Sequence, residues 1–243
     1  MDYGKSAFDN KDLDLSSAKD AVAVVDVARV WGNDYLYEYA RRKNIRIVEI
    51  DASYSFSGND YLSLSLLNYK NGDRNPYVWM SFQNVIKMAN IAADDLSELF
   101  PEDSKRIEDN LINFSQEIKE IENGYLEKTL DLSSLSVITL TENLDYLFND
   151  LNIFFNYVDS NELTVEKISE VMKRNNSKIF VSDRWIKKEI INEIEKKGGK
   201  FLVLDNFNIP RELNEKMDPD GYIKGMKENM EKLVEVMKFM DKK

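Results

Sequence analysis

Asn75-Pro76-Tyr77-Val78-Trp79-Met80-Ser81 runs straight into a helical pattern, and that junction sets the reading of the chain on either side of it. From Ser81 onward, Val85, Met88, Ala92, Leu96 and Leu99 recur on one stripe, the spacing of an amphipathic helix. Pro101 permits a fresh start, and Ile107, Leu111, Phe114, Ile118, Ile121 and Tyr125 then repeat at helical spacing to about Glu127. At ~1.5 Å per residue the second helix is expected to run roughly 35 Å, long enough to span two lobes. Tyr77, with its large apolar area and single polar tip, suits packing against Trp79.

Before this junction, 21–25 is a short continuous apolar run, 34–42 reads as a helix and 45–50 returns as a strand, a β-α-β unit. Between 51 and 74 there is no clear periodicity, although Leu62, Leu64 and Leu66 alternate as a half-buried extended segment would. After the long helix the alternation resumes: strands are expected at 136–140, 153–158, 178–182 and 201–204. Helices are expected at 142–151, 164–174 and 185–197, the last of these ended by Gly198-Gly199. Asp218-Pro219 opens a final helix with Tyr222, Met226, Met230, Leu233, Met237 and Met240 on one face, a stripe that reads as ordinary core. The fold class is therefore α/β, with two parallel-sheet lobes joined by a long bridging helix and a reduced N-terminal lobe. The corresponding organisation is a polar mobile arm at 1–20, an N-terminal lobe at 21–102, the bridging helix at 103–128 and a C-terminal lobe at 129–243.

Composition narrows the function. The formal net charge of −11 and the absence of clustered Lys and Arg oppose binding to nucleic acid. No apolar run approaches the ~20 residues that span a bilayer, and the N-terminus lacks the apolar core of an export signal. The chain has no cysteine and no histidine. That removes disulfides, thiolate sites, triads and the usual neutral-pH general base, and no Gly-rich phosphate loop follows any strand. An enzyme is not expected.

Open parallel sheets bind ligands beyond the carboxyl ends of their strands, and four aspartates stand there: Asp26, Asp51, Asp183 and Asp205. For the first three, helix N-capping or a surface role alone explains the residue type and is the preferred reading. Trp185, beside Asp183 and Arg184, either lines a pocket or opens a helix and folds onto the core.

The order of these segments resembles the solute-binding proteins that feed zinc and manganese ABC importers. In that family the stretch at 75–80 looks like Asp-Pro-His-x-Trp-Leu, with the histidine a metal ligand. Asn84-Val85-Ile86-Lys87-Met88-Ala89, Lys178-Ile179-Phe180-Val181, Lys200-Phe201-Leu202-Val203-Leu204-Asp205 and the segment 222–230 follow in the family's order. The resemblance implies an extracytoplasmic component, periplasmic or lipid-anchored, that works with a membrane permease and takes a metal ion or small solute. It also implies that Asp205 is the surviving family carboxylate, that Tyr77 stands in the histidine's place and that Asp159, or the turn at Thr141, holds the remaining ligand position. The family's first histidine belongs to an N-terminal portion that this chain lacks. Oxygen-only ligands suit Mn or Ca better than Zn, so a degenerate cleft is expected, binding a divalent metal weakly or another solute. Asp26, Asp51, Trp79, Thr141, Asp183 and Trp185 are expected to line it. The competing reading is a non-transporting interaction module with a vestigial cleft.

Overall fold

A computed structural model describes residues 16–32, 34–55, 60–209, 211–213 and 216–241. Most of the expected arm lies outside the described residues. Its end does not: Ser16–Lys19 forms a turn of 3₁₀ helix, and Ala18 is buried with Ala40 and Ile47. The chain divides into two compact units, Met1–Glu117 and Ile118–Lys243.

The first unit holds β1 (Ala23–Asp26) and β2 (Val48–Asp51), a parallel pair in which Asp26 stands directly opposite Asp51. Parallel strands need a crossover, and α1 (Leu36–Lys43) supplies it, burying Ala40. The aperiodic segment that follows is held by side chains, because it has no ladder of its own. Asn84, fully buried, accepts the N–H of Ser65 (2.9 Å) and donates to its carbonyl (2.8 Å). Leu62 and Leu64 are half-buried there, whereas Leu66 is exposed, so the expected alternation ends early. At the diagnostic stretch, Val78–Met80 makes a 3₁₀ turn with Val78 and Met80 fully buried. Ser81 then caps α2 (Phe82–Leu99), its hydroxyl accepting the Asn84 N–H at 3.1 Å. Pro101 begins another 3₁₀ turn, and α3 (Ser104–Thr129) follows with 26 residues, about 39 Å of helix. The division between the units falls within α3.

The second unit is built on a four-stranded parallel sheet of order β4-β3-β5-β6, with β3 Ser136–Thr139, β4 Phe154–Tyr157, β5 Ile179–Ser182 and β6 Lys200–Val203. Neighbouring residues of the central strands, Val137 and Ile138, Phe180 and Val181, are all fully buried, so both faces are covered. One core groups Ile138 and Phe180 with Ile168, Val171 and Met172 of α5 (Ile168–Asn175) and with Ile190 and Ile194 of α6 (Lys188–Lys196). Each such side chain contributes about 1.5–3 kcal/mol on burial. The short α4 (Asp145–Asp150) buries Tyr146, Leu147 and Phe148. Gly198 takes the left-handed backbone that ends α6 (φ +78°), and a Cβ on Gly199 would meet the Lys178 carbonyl at 2.7 Å. A hairpin of β7 (Glu212–Leu213) and β8 (Lys216–Met217) is an element that no sequence pattern announced. α7 (Gly221–Asp241) buries Met226, Met230, Leu233 and Met237, and the Tyr125 hydroxyl donates to the Met237 sulfur at 3.2 Å. The methionine stripe is core.

Candidate functional site

The expected site residues fall into two groups, one in each unit. In the first unit, Asp26 and Asp51 are the last residues of their strands, and both are 4% exposed. Neither caps a helix, because α1 starts ten residues past Asp26 with Tyr35 at its N-cap position. Capping or surface exposure therefore explains neither residue. Asp51 instead organises the loops: Oδ2 accepts the Arg29 N–H (3.1 Å), and Oδ1 accepts the Ser53 N–H (2.9 Å) and hydroxyl (2.5 Å). Asp34, also buried, accepts the N–H groups of Val27 and Leu36. Asp26 is poorly served, with Oδ1 3.5 Å from the Ala28 nitrogen and Oδ2 buried without a hydrogen bond. Burial first, then the charges of Asp34, Glu49 and Asp51, raise its carboxyl from 3.8 to about 7. Glu49 is raised as well, by burial and by Asp51.

Tyr77, in the place of the family histidine, is 8% exposed. Its N–H donates to the buried Asn75 carboxamide (3.0 Å), and its ring lies 5.2 Å from Trp79 and 5.7 Å from Trp31. Trp31 and Trp79 stack at 5.6 Å with planes 12° apart. The packing expected between Tyr77 and Trp79 is present, and Trp31 completes it. Trp31 was missed because it lies 48 residues upstream of Trp79 in a stretch without periodicity.

In the second unit the carboxyl ends of β3, β5 and β6 bring Thr141, Asp183 and Asp205 into one neighbourhood. Thr141 is buried and turns the chain by accepting the Asn143 N–H (3.2 Å). Asn143 then donates to Asp183 Oδ2 at 2.7 Å, and Asn206 donates to the same oxygen at 3.0 Å. Asp183 caps no helix either, since α6 begins at Lys188 after an N-cap at Lys187. Its side chain is 5% exposed, with Arg184 Nε 3.6 Å from Oδ1. Because α6 starts three residues later than expected, Trp185 is not helical: it stays 70% exposed, its ring 6.0 Å from Phe201. That removes the expectation of a core tryptophan.

Asp205 is held at every polar atom. Asn229 of α7, fully buried, accepts its N–H (2.9 Å) and donates to its carbonyl (2.8 Å). Oδ1 accepts the N–H of Phe207, which adopts φ +58°, and Oδ2 takes Arg211 Nε at 3.0 Å. Arg211 presents its other two nitrogens to Glu228, each at 2.9 Å, a bidentate pair. These carboxylates, Glu228 foremost, hold the guanidinium charged well above the ordinary arginine range, and Arg211 in turn lowers Glu228. The cation on the expected metal carboxylate is thus an arginine of the same chain. Nothing in the sequence signalled these roles for Asn143, Asn206, Arg211, Glu228 and Asn229, since each gains its role from a strand end or helix face that only the fold defines.

Asp159 does not join this group. It follows β4, at the opposite edge of the sheet from β6, and with strands ~4.8 Å apart the two strand ends are about 14 Å apart. Its Oδ1 accepts the Asn161 N–H. Among the described residues, no group of three or more His, Cys, Asp or Glu is arranged to hold a metal ion. Within the second unit, the residue beside the Asp205 carboxylate is Arg211.

A family model described as zinc-uptake complex component A, periplasmic, matches residues 8–236. The chain belongs to this family. Its members are the solute-binding components that work with ABC importer permeases on zinc or manganese, and they are binding proteins and not enzymes. Solved structures agree in fold. A mutant of FpvC from Pseudomonas aeruginosa is 17% identical with a TM-score of 0.73, the match covering 93% of this chain and 84% of that one. The metal-dependent lipoprotein YcdH from Bacillus subtilis is 16% identical, TM-score 0.71, with 96% and 87% covered. The Zn(II)-bound ZnuA-like domain of Streptococcus pneumoniae AdcA is 17% identical, TM-score 0.69, with 96% and 87% covered. No curated protein sequence matches the chain. Among the described residues, no helix is long and apolar enough to cross a membrane.

Proposed function

We propose that this family member is an extracytoplasmic solute-binding component of an ABC importer whose cleft is degenerate toward metal, holding a divalent ion weakly or taking another small solute. One observation carries the reading: both oxygens of Asp205 are committed, one to Arg211 and one to the Phe207 N–H. An incoming Mn, Zn or Ca ion must displace a guanidinium from the carboxylate that the family resemblance takes as the surviving family ligand. With no histidine anywhere in the chain, no imidazole offsets that cost. Tyr77 supports the same view, because its ring is packed against Trp31 and Trp79 and the residue is buried.

Calorimetric titration of the full chain with Zn²⁺, Mn²⁺ and Ca²⁺ tests it. Dissociation constants weaker than roughly 10 µM are expected, against the nanomolar range of a complete ligand set. Residual Mn²⁺ binding should disappear in Asp205→Asn and strengthen in Arg211→Ala. Submicromolar Zn²⁺ binding by the wild type overturns the degenerate cleft. The importer role is tested separately, by co-isolation of the chain with a permease of this transporter class.

A further inference from the structure

We propose that the amino-terminal end of the β1 and β2 pair is a docking surface for an anionic bilayer. There Lys19, Arg41, Arg42, Lys43 and Arg46 meet lipid phosphates and Ile45 enters the headgroup layer. Local structure brings these residues to one end of the first unit. Arg41, Arg42 and Lys43 form the last turn of α1, and Asn44 ends it in extended backbone. The Asn44 carboxamide donates to the Ala21 carbonyl (2.8 Å) and accepts the Arg46 N–H (3.0 Å), while the Val48 N–H donates to the Val22 carbonyl (2.9 Å). Beneath them Ile47 is buried with Ala18 and Ala40. The segments 19–22 and 41–48 therefore share one end, and the buried Asp26 and Asp51 lie at the other, about 10 Å away along the strands.

Charge sets this end apart. In a chain of net charge −11 it gathers five exposed cations, with Asp20 and Glu38 as the exposed carboxylates next to them in sequence. Among the described residues none of the five makes an ion pair, not even Arg42 with Glu38 one helical turn before it. Arg41 donates to the Tyr37 hydroxyl at 2.6 Å, and Arg42 lies 5.1 Å from the Tyr39 ring centre, contacts that leave both charges unneutralised. The dipole of α1 accounts for cations in its last turn but not for Lys19 or Arg46, which lie outside the helix. Apolar side chains stand among the cations. Ile45 is 78% exposed in the turn between Lys43 and Arg46, and Val22 and Val48 are exposed as well. Tyr35 and Tyr39, in edge contact, add amphipathic rings of the kind that settle at a membrane interface. The arrangement selects a flat field of charge. Successive helical residues point ~100° apart, so Arg41, Arg42 and Lys43 fan out around the helix end, a spread that a plane of headgroups meets and a single acidic peptide does not. Ile45, protruding from its turn, needs no matching hollow in a bilayer.

The proposal goes beyond the solute reading and stands independently of it. It is tested by flotation of the full chain with vesicles of phosphatidylcholine, alone or mixed with phosphatidylglycerol. The full chain is used so that its acidic stretch 9–14 competes with the vesicle as it does in the protein. Binding is expected only to the mixed vesicles and should fall as salt rises. Arg42→Gln and Arg46→Gln should each weaken it roughly fivefold, and Ile45→Ser roughly tenfold. Lys167→Gln, the same loss of charge in the second unit, should leave it unchanged. Because the chain has no cysteine, Ile45→Cys carries a single environment-sensitive dye, whose emission should move to the blue with mixed vesicles and not with soluble polyglutamate. Thermal unfolding confirms that each variant is folded. No binding to mixed vesicles overturns the proposal, and so does a loss in Lys167→Gln as large as that in Arg46→Gln. Polyglutamate binding that Ile45→Ser leaves intact, without vesicle binding, assigns the cations to an acidic protein instead.

Discussion

Replacing Asp26 by Asn keeps the shape of the side chain and removes its charge, and the consequence for stability depends on pH in a way the structure fixes. Asp26 is 4% exposed, faces Asp34, Glu49 and Asp51, and leaves one oxygen unpaired. Its carboxyl is raised from 3.8 to about 7, chiefly by burial. A raised folded-state pKa means that the native state holds the proton more tightly than the unfolded chain does. The contribution is therefore fully present below about pH 4, declines as pH rises and is lost above about pH 7. At ~1.36 kcal/mol per pKa unit, a shift of roughly three units sets a ceiling of about 4 kcal/mol on the change across that window.

Asp26→Asn does not ionise, so it should match the wild type near pH 4 and exceed its stability at pH 8. For units of this size about 1 kcal/mol moves the midpoint by ~4 °C, so a rise of up to roughly 15 °C at pH 8 follows. The assay is thermal unfolding followed by tryptophan fluorescence from pH 4.5 to 8.5 in a Trp185→Phe background. The remaining tryptophans, Trp31 and Trp79, both report on the first unit. Two results refute the reasoning: an Asp26→Asn variant that is less stable than its parent at pH 8, or one whose dependence on pH runs parallel to the parent's. Either shows that the carboxylate is ionised in the native state and satisfied.

Other substitutions separate the fixed points of the fold. Asn229→Ala strips the Asp205 N–H and carbonyl of their buried partner, and a loss of about 2–4 kcal/mol in denaturant unfolding is expected from two unpaired groups. Gly225→Ala should lose ~1–3 kcal/mol because its Cβ meets Phe207 and Arg211. Gly124→Ala, in α3 with nothing within 4 Å, should gain ~0.5–1 kcal/mol, so equal effects from the two refute the packing argument. Ser81→Ala frees the Asn84 N–H at the start of α2 and should cost about 1 kcal/mol by chemical denaturation, with Ser81→Asp restoring most of it.

The sequence by itself determined the α/β class, the family and the order of the elements. Those follow from short-range rules that act within one segment: the stripe from Val85 to Leu99, the Pro101 restart, the apolar runs around Ile138 and Phe180, and the ordered motifs from Asn75 to Asn229. It also settled which chemistry is excluded, because a chain without histidine or cysteine offers no imidazole or thiolate in any fold. The strand-end aspartates were legible as positions but not as environments. Asp26, Asp51, Asp183 and Asp205 look alike in sequence, yet the tertiary structure leaves one Asp26 oxygen unpaired, gives Asp51 three donors, gives Asp183 two amides and gives Asp205 an arginine. Those partners lie 2 to 40 residues away along the chain, brought in by parallel pairing and by α7. Only the tertiary structure decided that Trp185 stays outside α6 and that Arg211 reaches Asp205 over Gly225. A charge's neighbours, and hence its energy, are set by distances that local periodicity does not encode.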